Sequence, residues 1–233
     1  MRLHRFLGPF FFDGPQEEIE DLSLVHQIKR VLRLKEGDRI ILGNMKGKEA
    51  TCEIVEIEEF SIKVAIGEMR DIAEQLKEVS LFCSILKGSS MDLVAQKATE
   101  VGVSRIVPIV CDRTVKRDIR QDRLKKIIRE SSEQSGRGTV PDIFSPISFQ
   151  EAITSFSGSC MVLFDPLGEK LGPCQQEPSL KEHVGVFVGP EGGFTPEELN
   201  LARESLVLVR SLGPLVLRAE TAAIIGSYVV LSQ

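Results

Sequence analysis

Two apolar strands, each running into a glycine turn and then a helix, constrain the fold of the last fifty residues most tightly. The first is VGVFVGPEGGF at 184–194, after which Thr195 and Pro196 begin a helix. Thr195 is a suitable N-cap, proline suits the first helical position, and Glu198 completes a capping box. The second is SLGPLVLRAETA at 211–222, with a Gly-Pro turn. Because ligands of open α/β sheets bind beyond the strand ends, these turns predict a ligand cleft.

The composition is that of a globular protein of one large or two small domains. The chain has 233 residues, of which 42% are hydrophobic and 27% charged, enough apolar material for a core. No run of about eighteen apolar residues predicts a membrane span, and the N-terminus lacks the pattern of a signal peptide. The five cysteines, at 52, 83, 111, 160 and 174, have no C-x-x-C spacing. We therefore expect a cytoplasmic protein with reduced thiols and no metal site.

Positive charge is concentrated in one segment of an acidic chain. The net charge is −5, which argues against general polyanion binding. The segment from Arg105 to Arg137, however, contains ten basic and five acidic residues. This excess indicates either a phosphate-bearing partner or a solvated helix face.

The first seventy residues predict a small β-barrel. A short helix is expected over Val25–Leu34, followed by strands that alternate apolar and polar residues. These strands are Asp38–Leu42, Ala50–Glu56 and Phe60–Ile66. Several short strands in so few residues are typical of a barrel, and the polar segment 71–78 is expected to link it to a second domain.

From Val79 onward strands alternate with helices, which predicts an α/β fold with a mostly parallel sheet. We expect strands at Val79–Leu86, Arg105–Val110, Cys160–Asp165, Val184–Val188 and Leu206–Leu212. A helix capped by Ser89 or Ser90 is expected to run to about Val101 and to end at Gly102. Further helices are expected at Asp122–Gln134, Pro196–Glu204 and Ala219–Leu231. The predicted domains are therefore 1–72 and 73–233.

Several common catalytic motifs are absent from the sequence. G-x-G-x-x-G does not follow the first α/β strand, and no G-x-x-x-x-G-K-[ST], H-E-x-x-H or G-x-S-x-G occurs. The three histidines are scattered. A Rossmann-type site, a P-loop, and nucleophilic or metal-assisted hydrolysis therefore have little support.

Five segments together resemble the RsmE family of ribosomal RNA methyltransferases, members of the SPOUT (trefoil-knot) superfamily. They occur in the family's order and span nearly the whole chain. They are VLRLKEGD at 31–38, KGSSMDLVAQKATEVGVSRIVPI at 87–109, EQSGRGTVP at 133–141, VGPEGGF at 188–194 and LGPLVLRAETAAI at 212–224.

The resemblance implies a PUA-like RNA-binding barrel followed by a knotted α/β domain that binds S-adenosylmethionine (SAM). It also implies a homodimer and methylation of N3 of a uridine in 16S rRNA of the small ribosomal subunit. Within this frame we expect the adenine to lie on Phe164, Leu212 and Leu217, with glycine backbone groups at its edge. The expected cofactor-binding residues are Phe164, Gly189, Pro190, Glu191, Gly192, Gly193, Leu212, Gly213, Leu217, Ala219, Thr221 and Ala222.

Methyl transfer to a uracil nitrogen requires alignment and loss of the N3 proton. We expect Glu220 to act as the base or Arg218 to stabilise negative charge on the uracil oxygens. Alternatively, these two residues pair with each other or cap the last helix. Seven basic residues are expected to bind the phosphates of an unstacked nucleotide. The equal alternative is that each of them is an ordinary solvated surface residue. They are Arg5, Arg30, Arg33, Lys87, Lys97, Arg113 and Arg137.

The chain departs from the family pattern at Leu215, where the family usually has arginine, and at Ala219 and Ser89-Ser90. Lys97 has a second possible partner in Glu100, three residues later. Two other functions therefore stay open: a knot-class RNA 2′-O-methyltransferase, and a catalytically silent RNA-binding factor of ribosome assembly.

Overall fold

The chain divides into two units in the computed structural model, which describes residues 3–73, 77–156, 160–170 and 183–232. The first unit comprises Met1–Glu74 with Ser132–Val140, and the second Gln75–Ser131 with Pro141–Gln233. The first unit thus includes a nine-residue segment that the predicted boundaries, 1–72 and 73–233, assign to the second domain. Residues 74–76 of the predicted linker, and Cys174, lie outside the described residues.

A five-stranded sheet forms most of the first unit, in the order β1-β3-β4-β5-β2. Strand β1 pairs with β3 in parallel, and the other ladders are antiparallel. Its elements are β1 (His4–Leu7), β2 (Gln16–Ile19), α1 (Leu22–His26), a π-helical turn (Gln27–Val31), β3 (Arg39–Gly43), β4 (Lys48–Ile57) and β5 (Ile62–Asp71).

The core of this unit follows from the alternation seen in the sequence. Ala50, Cys52 and Ile54 point inward from β4 and pack with buried side chains of the neighbouring strands and helix. The helix predicted at Val25–Leu34 begins earlier, at Leu22, because the carboxylate of Asp21 accepts hydrogen bonds from two backbone N–H groups of the first turn.

An ion pair is buried in the first unit. The Glu49 side chain is 2% exposed and pairs with Nη2 of Arg5 at 3.0 Å and with Nε of Arg70. Two residues after Arg5, the backbone N–H of Leu7 donates a hydrogen bond of 3.0 Å to Oε1 of Glu133. These contacts fix the ends of β1 and the segment 132–140 within this unit.

The second unit contains a seven-stranded sheet, and every ladder formed by its described residues is parallel. The order is β12-β10-β11-β6-β7-β8, with β9 also paired to β7. The strands are β6 (Glu78–Ser84), β7 (Arg105–Val110), β8 (Asp142–Ile143), β9 (Ile147–Ser148), β10 (Cys160–Lys170), β11 (His183–Val188) and β12 (Leu208–Ser211). The helices are α2 (Ser90–Val101), α3 (Gln121–Ser135), α4 (Phe149–Ser155), α5 (Pro196–Glu204) and α6 (Ala219–Leu231).

The predicted fold class, a mostly parallel α/β sheet after a small β domain, is confirmed by this topology. The central strands are apolar on both faces, as expected for a parallel sheet between helices. One face carries a cluster of aromatic side chains, in which the rings of Phe82 and Phe187 stack with centroids 4.4 Å apart. Thr195 caps α5 in a complete capping box with Glu198, and Gly102 ends α2 with φ 114°.

Strand β10 contains a bulge that the sequence analysis did not predict. Arg210 of β12 pairs with both Phe164 and Glu169, so residues 165–168 leave the ladder between them. A Cβ at Gly168 would lie 2.5 Å from the carbonyl carbon of Arg210, which excludes a larger residue at that point without backbone movement. The strand therefore continues to Lys170, beyond the expected end at Asp165.

Candidate active site

A cavity of about 550 Å³ lies where β10 and β11 and the loop after β12 meet, at the C-terminal ends of the parallel strands. This volume is in the range of small-molecule sites. The lining residues come from the β10 bulge, the glycine loop after β11, the first residue of α2 and the start of α6. They are Ser90, Phe164, Asp165, Pro166, Val188, Gly189, Pro190, Glu191, Gly193, Phe194, Val216, Leu217, Arg218, Ala219, Glu220 and Ala222.

A second, smaller cavity of about 40 Å³ shares part of this lining. Phe164, Asp165, Pro166, Leu217 and Ala222 belong to both cavities. Ser211, Leu212 and Leu215 complete the smaller one, so its wall is mainly apolar. The two cavities together offer a small apolar recess beside a larger space lined by both charged and apolar residues.

The glycine loop, residues 189–194, is held by contacts with two residues from elsewhere in the chain, Arg113 and Lys87. Nη1 of Arg113 donates hydrogen bonds to the carbonyl oxygens of Gly192, at 2.7 Å, and Phe194, at 3.2 Å. Glu191 Oε1 accepts a hydrogen bond of 3.0 Å from the backbone N–H of Lys87. Gly193 has φ 69°, and a Cβ there would meet no atom within 4 Å. The loop thus presents open backbone to the cavity at Gly193.

The two residues expected to act on the substrate lie at the start of α6. Arg218 is the N-cap of this helix and Glu220 is in its first turn, and both line the larger cavity. In the part of the chain that the structure describes, no hydrogen bond or ion pair joins the two side chains, and the Arg218 side chain makes no capping bond. The arrangement leaves both charged groups available to a ligand.

Most of the twelve expected cofactor residues lie together around these cavities. Phe164, Gly189, Pro190, Glu191, Gly193, Leu217, Ala219 and Ala222 line the larger cavity, and Leu212 lines the smaller one. Gly192, Gly213 and Thr221 line neither. Gly192 instead faces the Arg113 side chain, from which a Cβ would lie 3.4 Å away. The roles of all twelve stay predictions.

Six residues in the wall of the larger cavity were not predicted from the sequence: Ser90, Asp165, Pro166, Val188, Phe194 and Val216. Asp165 is the most consequential of them, because it is a carboxylate that is only 8% exposed. A signal for it existed: it directly follows a buried apolar strand, at the edge where ligands of parallel sheets bind.

The seven basic residues expected to bind RNA fall into two groups. Arg30, Arg33 and Lys87 are exposed. The other four are engaged or partly buried: Arg5 pairs with Glu49, Lys97 with Glu100 at 2.8 Å, and Arg113 holds the glycine loop. Burial lowers the pKa of Arg137 to about 10. The predicted alternative for Lys97, an ion pair with Glu100, is thus formed.

The buried cysteines of the second unit are poor nucleophiles. Burial raises the pKa of Cys83 to about 12, with a smaller contribution from Glu191 and Glu220, and burial also raises the pKa of Cys111. Their thiols stay protonated at neutral pH.

Among the described residues, no group of three or more His, Cys, Asp or Glu side chains has a metal-binding arrangement. None of the described helices has the length and apolar character that crossing a bilayer requires.

The fold and the cavity define an RNA methyltransferase, and family models agree over most of the chain. The model of the RNA methyltransferase domain matches residues 73–230, and that of the RNA methyltransferase PUA domain matches residues 21–66. The chain belongs to this family of RNA methyltransferases. The predicted resemblance and the predicted PUA-like character of the N-terminal part are both confirmed.

Its relatives carry one particular description, ribosomal RNA small subunit methyltransferase E. The protein of that description from Rickettsia conorii is 32% identical over 86% of this chain and 83% of its own length. The one from Bacillus subtilis is 29% identical over 91% of each chain.

Solved structures of similar proteins extend over the whole chain. A putative methyltransferase from Legionella pneumophila in complex with SAM has a TM-score of 0.91 at 28% identity, covering 100% of this chain and 98% of the other. A ribosomal RNA small subunit methyltransferase E from Neisseria gonorrhoeae, bound to SAM, has a TM-score of 0.90 at 28% identity, covering 99% and 98%.

Proposed function

We propose that this protein is a SAM-dependent methyltransferase that methylates N3 of a uridine in 16S rRNA of the small ribosomal subunit, in the cytoplasm. The observation that carries the proposal is the cavity at the strand ends, formed by the glycine loop, the β10 bulge and the start of α6. Similar proteins with SAM bound, and relatives described as small-subunit rRNA methyltransferases, support both the cofactor and the class of substrate.

The residues around the two cavities fit this cofactor. The apolar recess between Phe164, Leu212 and Leu217 suits a flat adenine ring, and Gly189 and Gly193 let its polar edge approach the backbone. The larger cavity has room for the remaining ribose and amino-acid parts. When bound, SAM supplies an electrophilic methyl group, so the protein has to align the acceptor rather than activate a strong nucleophile.

Arg218 and Glu220 are the residues proposed to act on the uracil. Both line the cavity, and neither bonds to the other. Glu220 accepts the N3 proton, and Arg218 stabilises the negative charge that then develops on the uracil oxygens. The helix start favours this charge too, because the backbone N–H groups of the first turn of α6 carry partial positive charge.

Exposed basic residues are proposed to hold the RNA. Arg30 and Arg33 lie in the N-terminal domain, proposed as 1–72, and Lys87 lies in the methyltransferase domain, proposed as 73–233. Arg5, Lys97, Arg113 and Arg137 contribute less in this proposal, because three of them already have protein partners and Arg137 is partly buried. Phosphate contacts of this kind position the RNA without selecting its sequence.

A homodimer completes the proposed assembly. Helix α6 has a single charged residue, Glu220, and packs against β6, β11 and α2. Its Ile225 and Tyr228 remain 38% and 58% exposed, and Leu93 of α2 is 39% exposed. A helix that is apolar on all sides is normally buried, so a second copy of the chain is the proposed cover for this face.

Methylation of isolated small subunits tests the function. Subunits from a strain that lacks the corresponding activity are incubated with the protein and methyl-labelled SAM, and the digested rRNA is analysed by mass spectrometry. Label on the base at N3 of one uridine is the expected result. Label on a ribose 2′-oxygen would identify the alternative enzyme class. Absence of transfer would favour a silent assembly factor, consistent with Leu215 in place of arginine.

Replacement of Arg218 tests its role in catalysis. We expect Arg218→Ala to lower the single-turnover rate by about a hundredfold or more, because a lost charge-stabilising donor acts on the transition state. Arg203→Ala, which removes an exposed arginine of α5, is the matched control and keeps the full rate. A normal rate for Arg218→Ala would exclude the electrostatic role.

A further inference from the structure

The larger cavity has an uneven charge balance. Three carboxylates line it, those of Asp165, Glu191 and Glu220, against one guanidinium, that of Arg218. With these four groups ionised, its net charge is about −2. A cavity with this balance attracts a cationic ligand and disfavours a neutral or anionic one of the same shape.

Of the three carboxylates that line the larger cavity, Asp165 is the one whose negative charge has the smallest role in holding the fold together. It is 8% exposed and lines both cavities, so it faces their junction. One oxygen, Oδ1, accepts a hydrogen bond of 2.9 Å from the backbone N–H of Leu167. In the described part of the chain no donor contacts the other oxygen, and no cationic side chain pairs with it. That oxygen is not fully buried, so it is open to the cavity, where a cationic ligand can pair with it.

The other two carboxylates have additional functions. Glu191 connects the glycine loop to the backbone N–H of Lys87. Glu220 lies in the first turn of α6, where the helix dipole favours a negative side chain. Asp165 is therefore the residue whose charge is most available to a bound molecule.

We propose that the cavity selects the methyl donor over its product by charge, and that Asp165 is the main specificity-determining residue. The inference rests on the proposed binding of SAM. The donor contains a sulfonium, which the transfer of its methyl group converts into an uncharged thioether in S-adenosylhomocysteine. All other parts of the two molecules are the same. A cavity lined by three carboxylates and one guanidinium distinguishes them through this one charge, because only the sulfonium is attracted by the net negative lining.

This selection also aids turnover. Once the methyl group has left, the attraction between the carboxylates and the sulfonium no longer exists. The product is then held more weakly than the donor, which favours exchange of product for donor after each reaction. A binding site that recognised only adenine, ribose and the amino-acid end would retain both molecules equally.

Isothermal titration calorimetry on the complete protein tests the proposal. Three ligands are titrated without RNA: SAM, S-adenosylhomocysteine, and sinefungin, in which a protonated amine replaces the sulfonium. The variant is Asp165→Asn, which removes the charge and keeps an oxygen for the Leu167 N–H. The control is Asp142→Asn, which removes an exposed carboxylate at the start of β8, where β7 and β8 begin.

We expect wild type to bind SAM and sinefungin more tightly than S-adenosylhomocysteine. In Asp165→Asn the Kd of both cations rises about tenfold, while that of S-adenosylhomocysteine changes less than about twofold. Added salt weakens binding of the cations more than that of the thioether. Asp142→Asn behaves as wild type.

Two results would overturn the proposal, and they are distinct. If wild type binds the ligands but Asp165→Asn weakens all three equally, or none, Asp165 contacts a part that they share, or contacts none of them, and selection by charge is wrong. If wild type binds none of the three, the proposed cofactor is wrong as well. Circular dichroism of each variant establishes that it is folded.

Discussion

Gly193 and Gly37 have similar backbones and very different surroundings. Both have a left-handed φ, 69° and 86°, and a Cβ at either would meet no atom within 4 Å. Alanine at either position costs about 1 kcal/mol of stability because of this φ. Only Gly193 lines the cavity. We therefore predict that Gly193→Ala weakens SAM binding at least tenfold by calorimetry, since its methyl group enters the space proposed for the cofactor.

Gly37→Ala is the matched control, because it carries the same backbone strain in the other unit of the chain. We expect urea unfolding to give a similar loss of stability for both variants and calorimetry to give normal binding for Gly37→Ala. Equal cofactor affinity in the two variants would contradict the position proposed for the cofactor.

At the scale of single residues, sequence patterns indicated most of the residues that line the cavity but not all of its charged groups. Gly193 and Arg218 were predictable because motifs contain them. Asp165 was not predicted, because its place after a buried strand is a weak signal and the bulge that contains it has no signature in the sequence. Arg113 was predicted as an RNA ligand from its charge alone, whereas its two hydrogen bonds to the glycine loop require the fold to bring residues about eighty positions apart into contact.

Among the elements, the glycine loop between β11 and α5 depends on Arg113 for its shape. We predict that Arg113→Ala lowers the affinity for SAM in the absence of RNA, because the carbonyl groups of Gly192 and Phe194 lose their donor and the loop loosens. A decrease of about fivefold or more by calorimetry is expected. Arg117→Ala, an exposed arginine of the same connecting segment, is the control.

Measuring SAM affinity without RNA distinguishes between two roles for Arg113. A residue that served only to hold phosphates would leave cofactor affinity unchanged when replaced and would weaken only RNA binding. A residue that positions the loop affects the cofactor first.

At the opposite end of the sheet, the start of β11 carries a pH-sensitive contact. His183 Nε2 lies 2.9 Å from Nη1 of Arg105 and 3.0 Å from Oγ of Ser80, and Arg105 pairs with Glu78. Burial lowers the pKa of His183 below its usual 6.5, the positive charge of Arg105 lowers it further, and Glu78 partly opposes this. The folded protein therefore resists protonation at this residue more than the unfolded chain does.

The lowered pKa of His183 determines whether the free energy of unfolding rises or falls with pH. As pH falls through 6.5, the unfolded chain takes up a proton at this histidine before the folded protein does, so the free energy of unfolding decreases. We predict that His183→Gln reduces this loss between about pH 7.5 and about pH 5.5, measured by urea unfolding at each pH. His4→Gln, at an exposed histidine, is the control; an unchanged pH dependence in His183→Gln would exclude the effect.

Elements with strong local signals were predicted closely. Strand β7 and helices α5 and α6 have the expected bounds, because a proline, a capping box or a change of periodicity marks their ends. Three short elements, β1, β2 and α4, were not predicted. Strands β1 and β2 have four residues each and pair with strands distant in sequence. Helix α4 has seven residues and a local N-cap, Ser148, that the sequence reading did not use. The π-helical turn at Gln27–Val31 has no signature in the residues themselves.

For the whole molecule, the exposed apolar face of α6 predicts self-association. We expect Ile225→Glu to convert the proposed dimer into a monomer, because a buried, unpaired charge at a subunit interface is strongly unfavourable. Size-exclusion chromatography with light scattering gives the molecular mass directly. Val55→Glu, at an exposed apolar residue of the first unit, is the control and should leave the mass unchanged.

A wild-type mass equal to that of a single chain would contradict the dimer. A dimer that persists in Ile225→Glu would place the interface on another surface.

The bulge at residues 165–168 has a consequence for how such a molecule evolves. The ladder between β10 and β12 is paired on both sides of it, and Arg210 serves as partner at each side. Insertion or deletion of a residue inside the bulge therefore changes the depth of the ligand recess while the register of the surrounding sheet is kept. Proteins that evolve from this one can therefore adapt to cofactors or acceptor groups of another size by changing the length of this bulge, while the rest of the fold stays the same.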